Sequence, residues 1–107
     1  MPVYLVQVGY TSEAWAKLLQ KPQDRAKAVG AAIEKLGGRV VGSWMAFGDD
    51  DVIMVIEMPD NTAAAAFAMA VGAGGACRSF KTTPLMPIAE AVGAMQKAST
   101  CGYKPPS

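Results

Sequence analysis

The chain has 107 residues, which is enough for one domain and too few for two that would each bury a core. Hydrophobic residues make up 51% and charged residues 18%, so enough apolar surface exists to offset the entropy of ordering, and a disordered chain is not expected. The net charge of +1 argues against nucleic acid as a partner, and the absence of histidine excludes histidine metal sites, histidine-ligated haem and catalytic pairs that rely on histidine.

The chain opens with a strand pattern. Residues 3–10 are rich in β-branched and aromatic side chains and lead into a threonine and a serine, so they predict a strand. Ser12 is suited to cap a short helix, which is predicted over residues 13–20.

A longer helix is predicted after Pro22, a residue suited to a first helical turn. Asp24 lies in that first turn, where a carboxylate interacts favourably with the helix dipole. Apolar residues then recur every three or four positions until Gly37-Gly38 ends the helix. Residues 39–46 predict the second strand.

The second half of the chain continues with two more strands around another helix. Residues 47–51 contain one glycine and three aspartates and predict a tight connection to a third strand over residues 52–58. An alanine-rich helix is predicted over residues 62–72. Residues 76–83 then predict a fourth strand, which ends at Pro84.

The element order is strand, helix, strand, strand, helix, strand, followed by a further helix over residues 87–97. This order predicts an α+β, ferredoxin-like βαββαβ fold, whose antiparallel four-stranded sheet carries both main helices on one face. We expect one domain over residues 1–97 and a tail over residues 98–107, where Gly102 and Pro105-Pro106 disfavour regular structure.

Both faces of the predicted sheet are apolar, unlike those of a sheet with one solvated face. In the first strand Val3 and Leu5 point to one side, whereas Tyr4, Val6 and Val8 point to the other. Helices cover one face, so the other needs a cover as well. Two sheets packed face to face across a two-fold axis supply it, and we expect a homodimer or a multiple of dimers. The alternative is a monomer whose last helix and tail cover this face.

Four stretches carry a resemblance to a known family: Tyr10-Thr11 at the end of the first strand, Lys21-Pro22 with Arg25-Ala26 opening a helix that ends at Leu36-Gly37-Gly38, the loop from Phe47 to Val52, and Pro59-Asp60-Asn61 before the alanine-rich helix. The pattern covers roughly residues 3–95 and is similar to the GYD domain family, small bacterial proteins placed with the dimeric α/β barrel superfamily. The resemblance implies this fold and a homo-oligomer, while the activity of the family is unassigned.

The signature from which the family takes its name, Gly, Tyr and Asp, falls in the loop before the third strand. Gly48 and Asp51 fit this signature, whereas Asp50 stands where the resemblance leads us to expect tyrosine. A site that used this tyrosine would be altered in this chain.

The resemblance to the wider superfamily implies two classes of function. One class is enzymes: monooxygenases that act on aromatic substrates without a cofactor, lactone isomerases and haem-dependent enzymes. The other class is ligand-binding modules of transcriptional regulators. Sites in these proteins commonly lie in a cleft between the helices and the sheet of each subunit. No cofactor is expected here, since haem held through histidine is excluded by composition.

The residues predicted to bind a ligand in such a cleft are Tyr10, Trp44, Asp51 and Arg78. Trp44 would wall a planar ligand, and the Tyr10 phenol would hold a substrate oxygen or donate a proton. Asp51 is the weak candidate for a catalytic base, if burial raises its pKa. An arginine inside a strand, such as Arg78, needs water, a carboxylate or an anionic ligand. The structural alternatives are core or interface packing for the aromatic residues, and salt bridges or backbone hydrogen bonds for the charged ones.

Three further features invite a chemical interpretation. The carboxylates of residues 49–51 would suit calcium or magnesium, although consecutive side chains diverge and a solvated turn is the alternative. Cys77 has no histidine partner, so a reactive thiolate would depend on Arg78 or Lys81 to lower its pKa. Arg25, at the start of the long helix, is a second cation suited to an anionic ligand.

The N-terminus lacks the pattern of a signal peptide, and the most apolar stretch, residues 63–73, is far shorter than the ~20 residues of a membrane span. Cys77 and Cys101 are too few for a disulfide framework and predict reduced thiols in a cytoplasmic protein.

Three functions remain open at this point. The first is a small-molecule-binding protein with its cleft in a homo-oligomer. The second is a cofactor-independent oxygenase or isomerase on the same scaffold, with Asp51 or a tyrosine as the group that transfers protons. The third is a structural or regulatory oligomer without a ligand, which would fill the cleft with side chains. Neither nucleic acid nor a membrane is an expected partner.

Overall fold

All 107 residues are described by the structure, a computed structural model. Its elements are β1 (Val3–Tyr10), α1 (Ser12–Gln20), α2 (Arg25–Lys35), β2 (Arg39–Met45), β3 (Val52–Glu57), α3 (Asn61–Gly74), β4 (Cys77–Leu85) and α4 (Ile88–Ser99).

The four strands form one antiparallel sheet in the order β2-β3-β1-β4. With the helices between the strands, this order confirms the predicted α+β, ferredoxin-like fold. Burial alternates along β1 as predicted: Tyr4, Val6 and Val8 are buried, whereas Val3 and Leu5 are only partly covered. One face of the sheet therefore belongs to the core.

The core lies between this face and the two main helices. Ile33 of α2 and Phe67 of α3 are buried against Met54 and Ile56 of β3. Both main helices therefore cover the same face, as the strand–helix order predicts. No helix has the length and hydropathy needed to cross a membrane.

The starts of the first two helices differ by a residue or more from the prediction. The N-cap of α1 is Thr11, whose hydroxyl accepts the N–H of Ala14 at 3.1 Å, and Ser12 is already helical. Asp24 is the N-cap of α2 instead of a first-turn residue, because its carboxylate accepts the N–H of Ala26 at 2.8 Å. Both positions satisfy N–H groups that the helix itself leaves free.

Pro84 does not end β4, which continues to Leu85 and pairs Pro84 with Tyr4 of β1. The prediction was wrong because β4 is an edge strand, where a proline is tolerated since only one side of the strand donates to the ladder. The alanine-rich helix is longer than predicted and ends where Gly75 adopts a φ of 75°.

The second face of the sheet, here called the open face, carries Val3, Leu5, Ile53 and Val55 and is covered by no helix of the chain. The last helix does not provide the cover that the monomer alternative requires, because α4 makes only slight contact with the other elements. The chain is accordingly elongated, with a radius of gyration of 17.2 Å, whereas a compact chain of this length has about 13 Å.

Candidate functional site

A cleft of about 1070 Å³ lies between the helices and the core face of the sheet. Helices α1, α2 and α3 supply much of its wall, and 20 of its 30 lining residues are hydrophobic. Its volume corresponds to the upper end of small-molecule sites, and its lining resembles theirs.

Tyr10 and Trp15 form one end of the cleft. Tyr10 is the last residue of β1, and Trp15 lies in the first turns of α1, so the Thr11 cap between them sets the distance between the two rings. The ring centroids are 5.4 Å apart at an interplanar angle of 84°, an edge-to-face contact. The Tyr10 backbone N–H is hydrogen-bonded, while its hydroxyl makes no hydrogen bond within the chain. This hydroxyl is thus available to a ligand.

Burial raises the pKa of Tyr10 above its ordinary value of 10.0, against an opposing effect of the Arg25 guanidinium; the nearby Cys77 and Asp51 raise it further. The phenol therefore stays protonated throughout the neutral range. It offers the cleft a hydrogen-bond donor and not an anion.

We expect the tyrosinate absorbance that distinguishes the wild-type protein from Tyr10→Phe to develop only above pH 10. Because the folded-state pKa is raised, the stability linked to the neutral phenol is present below the unfolded value of about 10 and is lost as the pH rises through the folded value. Spectrophotometric titration of the two proteins measures this difference. A difference that develops at or below the ordinary tyrosine pKa would contradict the burial of this phenol.

Asp51 lies behind this end of the cleft and not in its lining. One carboxylate oxygen, Oδ2, accepts the Tyr10 N–H at 2.8 Å and the Trp15 indole N–H at 3.3 Å. The same oxygen is 3.6 Å from the Arg78 guanidinium, which also donates to the Asp49 carbonyl at 3.0 Å. These contacts tie the start of β3 to the end of β1, the start of α1 and the start of β4.

The three consecutive carboxylates point to different partners. Asp50, which is 9% exposed, accepts a hydrogen bond from the Gln7 side chain at 3.1 Å and lies 3.9 Å from the Lys81 ammonium. Asp51 is directed to Tyr10 as described, so no cluster of acidic groups forms around a single point.

Cys77 lines the cleft, but nothing activates it. Burial raises the pKa of its thiol, and neither Arg78 nor Lys81 lowers it. The proposed activation by these two cations is therefore not supported, because one is directed to Asp51 and the other to Asp50.

The structure divides the predicted site residues into two groups. Tyr10 lines the cleft, whereas the other three have their side chains outside it. Asp51 and Arg78 contact each other. Trp44, 59% exposed at the border of the cleft, directs its ring to the open face, where it pairs with Ile53 and lies over Gly42. Their role in ligand binding stays a prediction. Sequence reasoning missed Trp15, although its place on the partly buried side of an amphipathic α1, together with Ala14 and Leu18, was a usable signal.

Comparison with known proteins gives a family. The family model described as GYD domain matches residues 4–95 of the chain. No curated protein is similar enough to the chain to count as a relative.

Proposed function

The chain belongs to the GYD domain family, and from this premise and the geometry of the cleft we propose that it binds a small, largely apolar molecule in each subunit of a homo-oligomer. The observation that carries the proposal is the cleft of about 1070 Å³ between the helices and the sheet. A purely structural oligomer would be expected to fill such a space with side chains.

The lining supports a particular class of ligand. Aromatic rings of Tyr10, Trp15, Phe67 and Phe80 lie along an otherwise mostly aliphatic surface. The neutral Tyr10 hydroxyl is a donor without a partner in the chain. A ligand of this cleft is therefore an apolar molecule, aromatic or aliphatic, that carries a hydrogen-bond acceptor within reach of this hydroxyl.

The position of Asp51 favours binding over the oxygenase or isomerase alternative with Asp51 as base. Its Oδ2 accepts two N–H groups and faces a guanidinium, so this oxygen already has its partners within the chain. A general base must instead reach a substrate proton, and Asp51 does not line the cleft.

The proposed assembly is a dimer, or a multiple of dimers, that packs the open faces of two sheets together. The apolar residues of this face support it, because no other element of the chain covers them. Cys77 and Cys101 are both free thiols, which is consistent with the proposed cytoplasmic location.

Binding of the fluorescent probe anilinonaphthalene sulfonate to the native protein tests the cleft. We expect one probe molecule per subunit. Ala32→Trp, at a lining position of α2, should raise the Kd of the probe at least about tenfold by occupying the space. Ala31→Trp is the matched control, since Ala31 is also exposed on α2 but does not line the cleft. Equal probe binding by both variants would contradict the proposed site.

Native mass spectrometry of the protein purified gently from its own host addresses ligand and assembly together. An oligomer with additional mass identifies a molecule to characterise and supports both parts of the proposal. A monomer at micromolar concentrations would contradict the packing of open faces.

A further inference from the structure

Helix α4 has an apolar side that the chain leaves uncovered. Ile88, Val92 and Met95 recur at helical spacing and are 81%, 47% and 64% exposed. Met86, two residues before the helix, is also exposed, at 53%. Such a continuous apolar strip on a helix without a partner in its own chain marks an interface.

The connection to β4 keeps the strip away from its own sheet. Only Met86 and Pro87 separate β4 from α4, and the fixed φ of proline restricts how sharply the chain can turn there. The helix makes only slight contact with the other elements, and the chain extends over 57 Å along its longest axis. The helix thus projects from the domain as an arm.

The charges on the arm favour a neutral protein surface over a membrane or nucleic acid. Glu90 and Lys97 are its only charged residues and cancel each other. A helix that binds a membrane surface or nucleic acid usually carries several lysines or arginines on its polar side. The net charge of the whole chain is +1, so two copies scarcely repel each other.

The exposed area suits an exchange between two copies. The four apolar side chains from Met86 to Met95 offer on the order of 400 Å², against ~800 Å² that each partner contributes to a standard interface. In a two-fold dimer each copy gives one arm and receives one, so the area that each copy contributes reaches that standard.

We propose that α4 is an exchanged arm, which packs its Ile88, Val92 and Met95 side against a second copy of this chain. The inference rests on the proposed homo-oligomer and adds to it a second contact, distinct from the packing of the open faces. Within the dimer, α4 of each protomer packs on the other protomer.

Sedimentation velocity of the full-length chain over a concentration series tests the arm. Val92→Glu places a charge in the apolar strip and should raise the dimer Kd at least about tenfold. Ala94→Glu adds the same charge to an exposed position of α4 outside the strip and should leave the dimer Kd unchanged. Val92 is exposed in the protomer, so the variant should fold, and its circular dichroism should match that of the wild type.

The outcomes separate the two proposals. A wild-type dimer that Val92→Glu does not weaken overturns the arm and leaves the packing of open faces intact. A wild-type monomer overturns both.

Mixed labelling establishes whether the contact crosses between copies. The Cys77→Ala variant carries a spin label on Cys101, just beyond α4. It is mixed with ¹⁵N-enriched protein that carries no spin label. Broadened amide signals in the enriched copy are expected for an exchanged arm. No broadening in a sample that is dimeric overturns the proposal.

Discussion

Replacement of Asp51 by alanine is expected to lower the free energy of unfolding by about 3 kcal/mol. The carboxylate is only 15% exposed and accepts the N–H groups of Tyr10 and Trp15 at 2.8 and 3.3 Å. Alanine would leave both donors without this acceptor. The nearby Arg78 guanidinium adds little to the effect, because its side chain is 49% exposed and water screens it.

Urea unfolding at a fixed protein concentration measures this change, since an oligomer makes the midpoint depend on concentration. Asp51→Asn keeps an oxygen acceptor and removes the charge. Its free energy of unfolding should therefore fall by about half as much as that of Asp51→Ala. Asp49→Ala is the matched control on an exposed residue two positions earlier, whose side chain accepts no hydrogen bond and whose carbonyl bond to Arg78 survives the change. Equal decreases in the free energy of unfolding for Asp49→Ala and Asp51→Ala would contradict the stabilising role of the Asp51 hydrogen bonds.

The hydrogen bonds of Asp51 also position residues of the cleft. Asp51 holds the Tyr10 backbone and the Trp15 indole, the two residues whose rings form one end of the cleft. A loss of these hydrogen bonds therefore also changes the shape of the site. This explains how a residue outside the lining can affect ligand binding as a positioning residue.

The strand and helix pattern was predictable because it depends on local periodicity. The alternation along β1 and the two apolar sides of β3 follow from which residues are β-branched or aromatic, and the structure confirms them. The start of α1 could not be predicted to the residue, because Thr11 and Ser12 are both good caps and only the position of the first free N–H selects between them. The error at Pro84 has a different origin, since an edge strand cannot be recognised before the strand order is known.

The site was harder to predict than the fold because its members come from distant parts of the chain. Tyr10 and Trp44 were identified as aromatic residues at strand ends, but only the Tyr10 ring lies in the cleft, since Trp44 faces the other side of the sheet. Trp15 was missed because its role depends on Asp51, which is 36 residues away. The volume of the cleft could not be predicted either, since it depends on how far α1 and α2 stand from the sheet.

Gly38 and Gly30 provide a pair of identical substitutions with opposite expected signs. A β-carbon at Gly38 would collide with the Glu57 carbonyl oxygen and would lie 2.6 Å from the Met58 sulfur. A β-carbon at Gly30, inside α2, would meet no atom within 4 Å. Because only Gly38 lies against other atoms, the pair separates the effect of local crowding on stability from the general effect of replacing glycine by alanine.

Gly38→Ala is expected to lower the free energy of unfolding by about 3 kcal/mol, since the colliding carbonyl belongs to the adjacent β3 strand and Met58 is fully buried. Gly30→Ala should raise it by about 0.5–1 kcal/mol, because alanine loses less backbone entropy in a helix. Urea unfolding of the two variants at the same protein concentration measures both changes. If Gly38→Ala were as stable as the wild type, β2 and β3 could not approach as closely as the structure has them. A loss of stability in Gly30→Ala would instead indicate that α2 packs on a surface outside its own protomer.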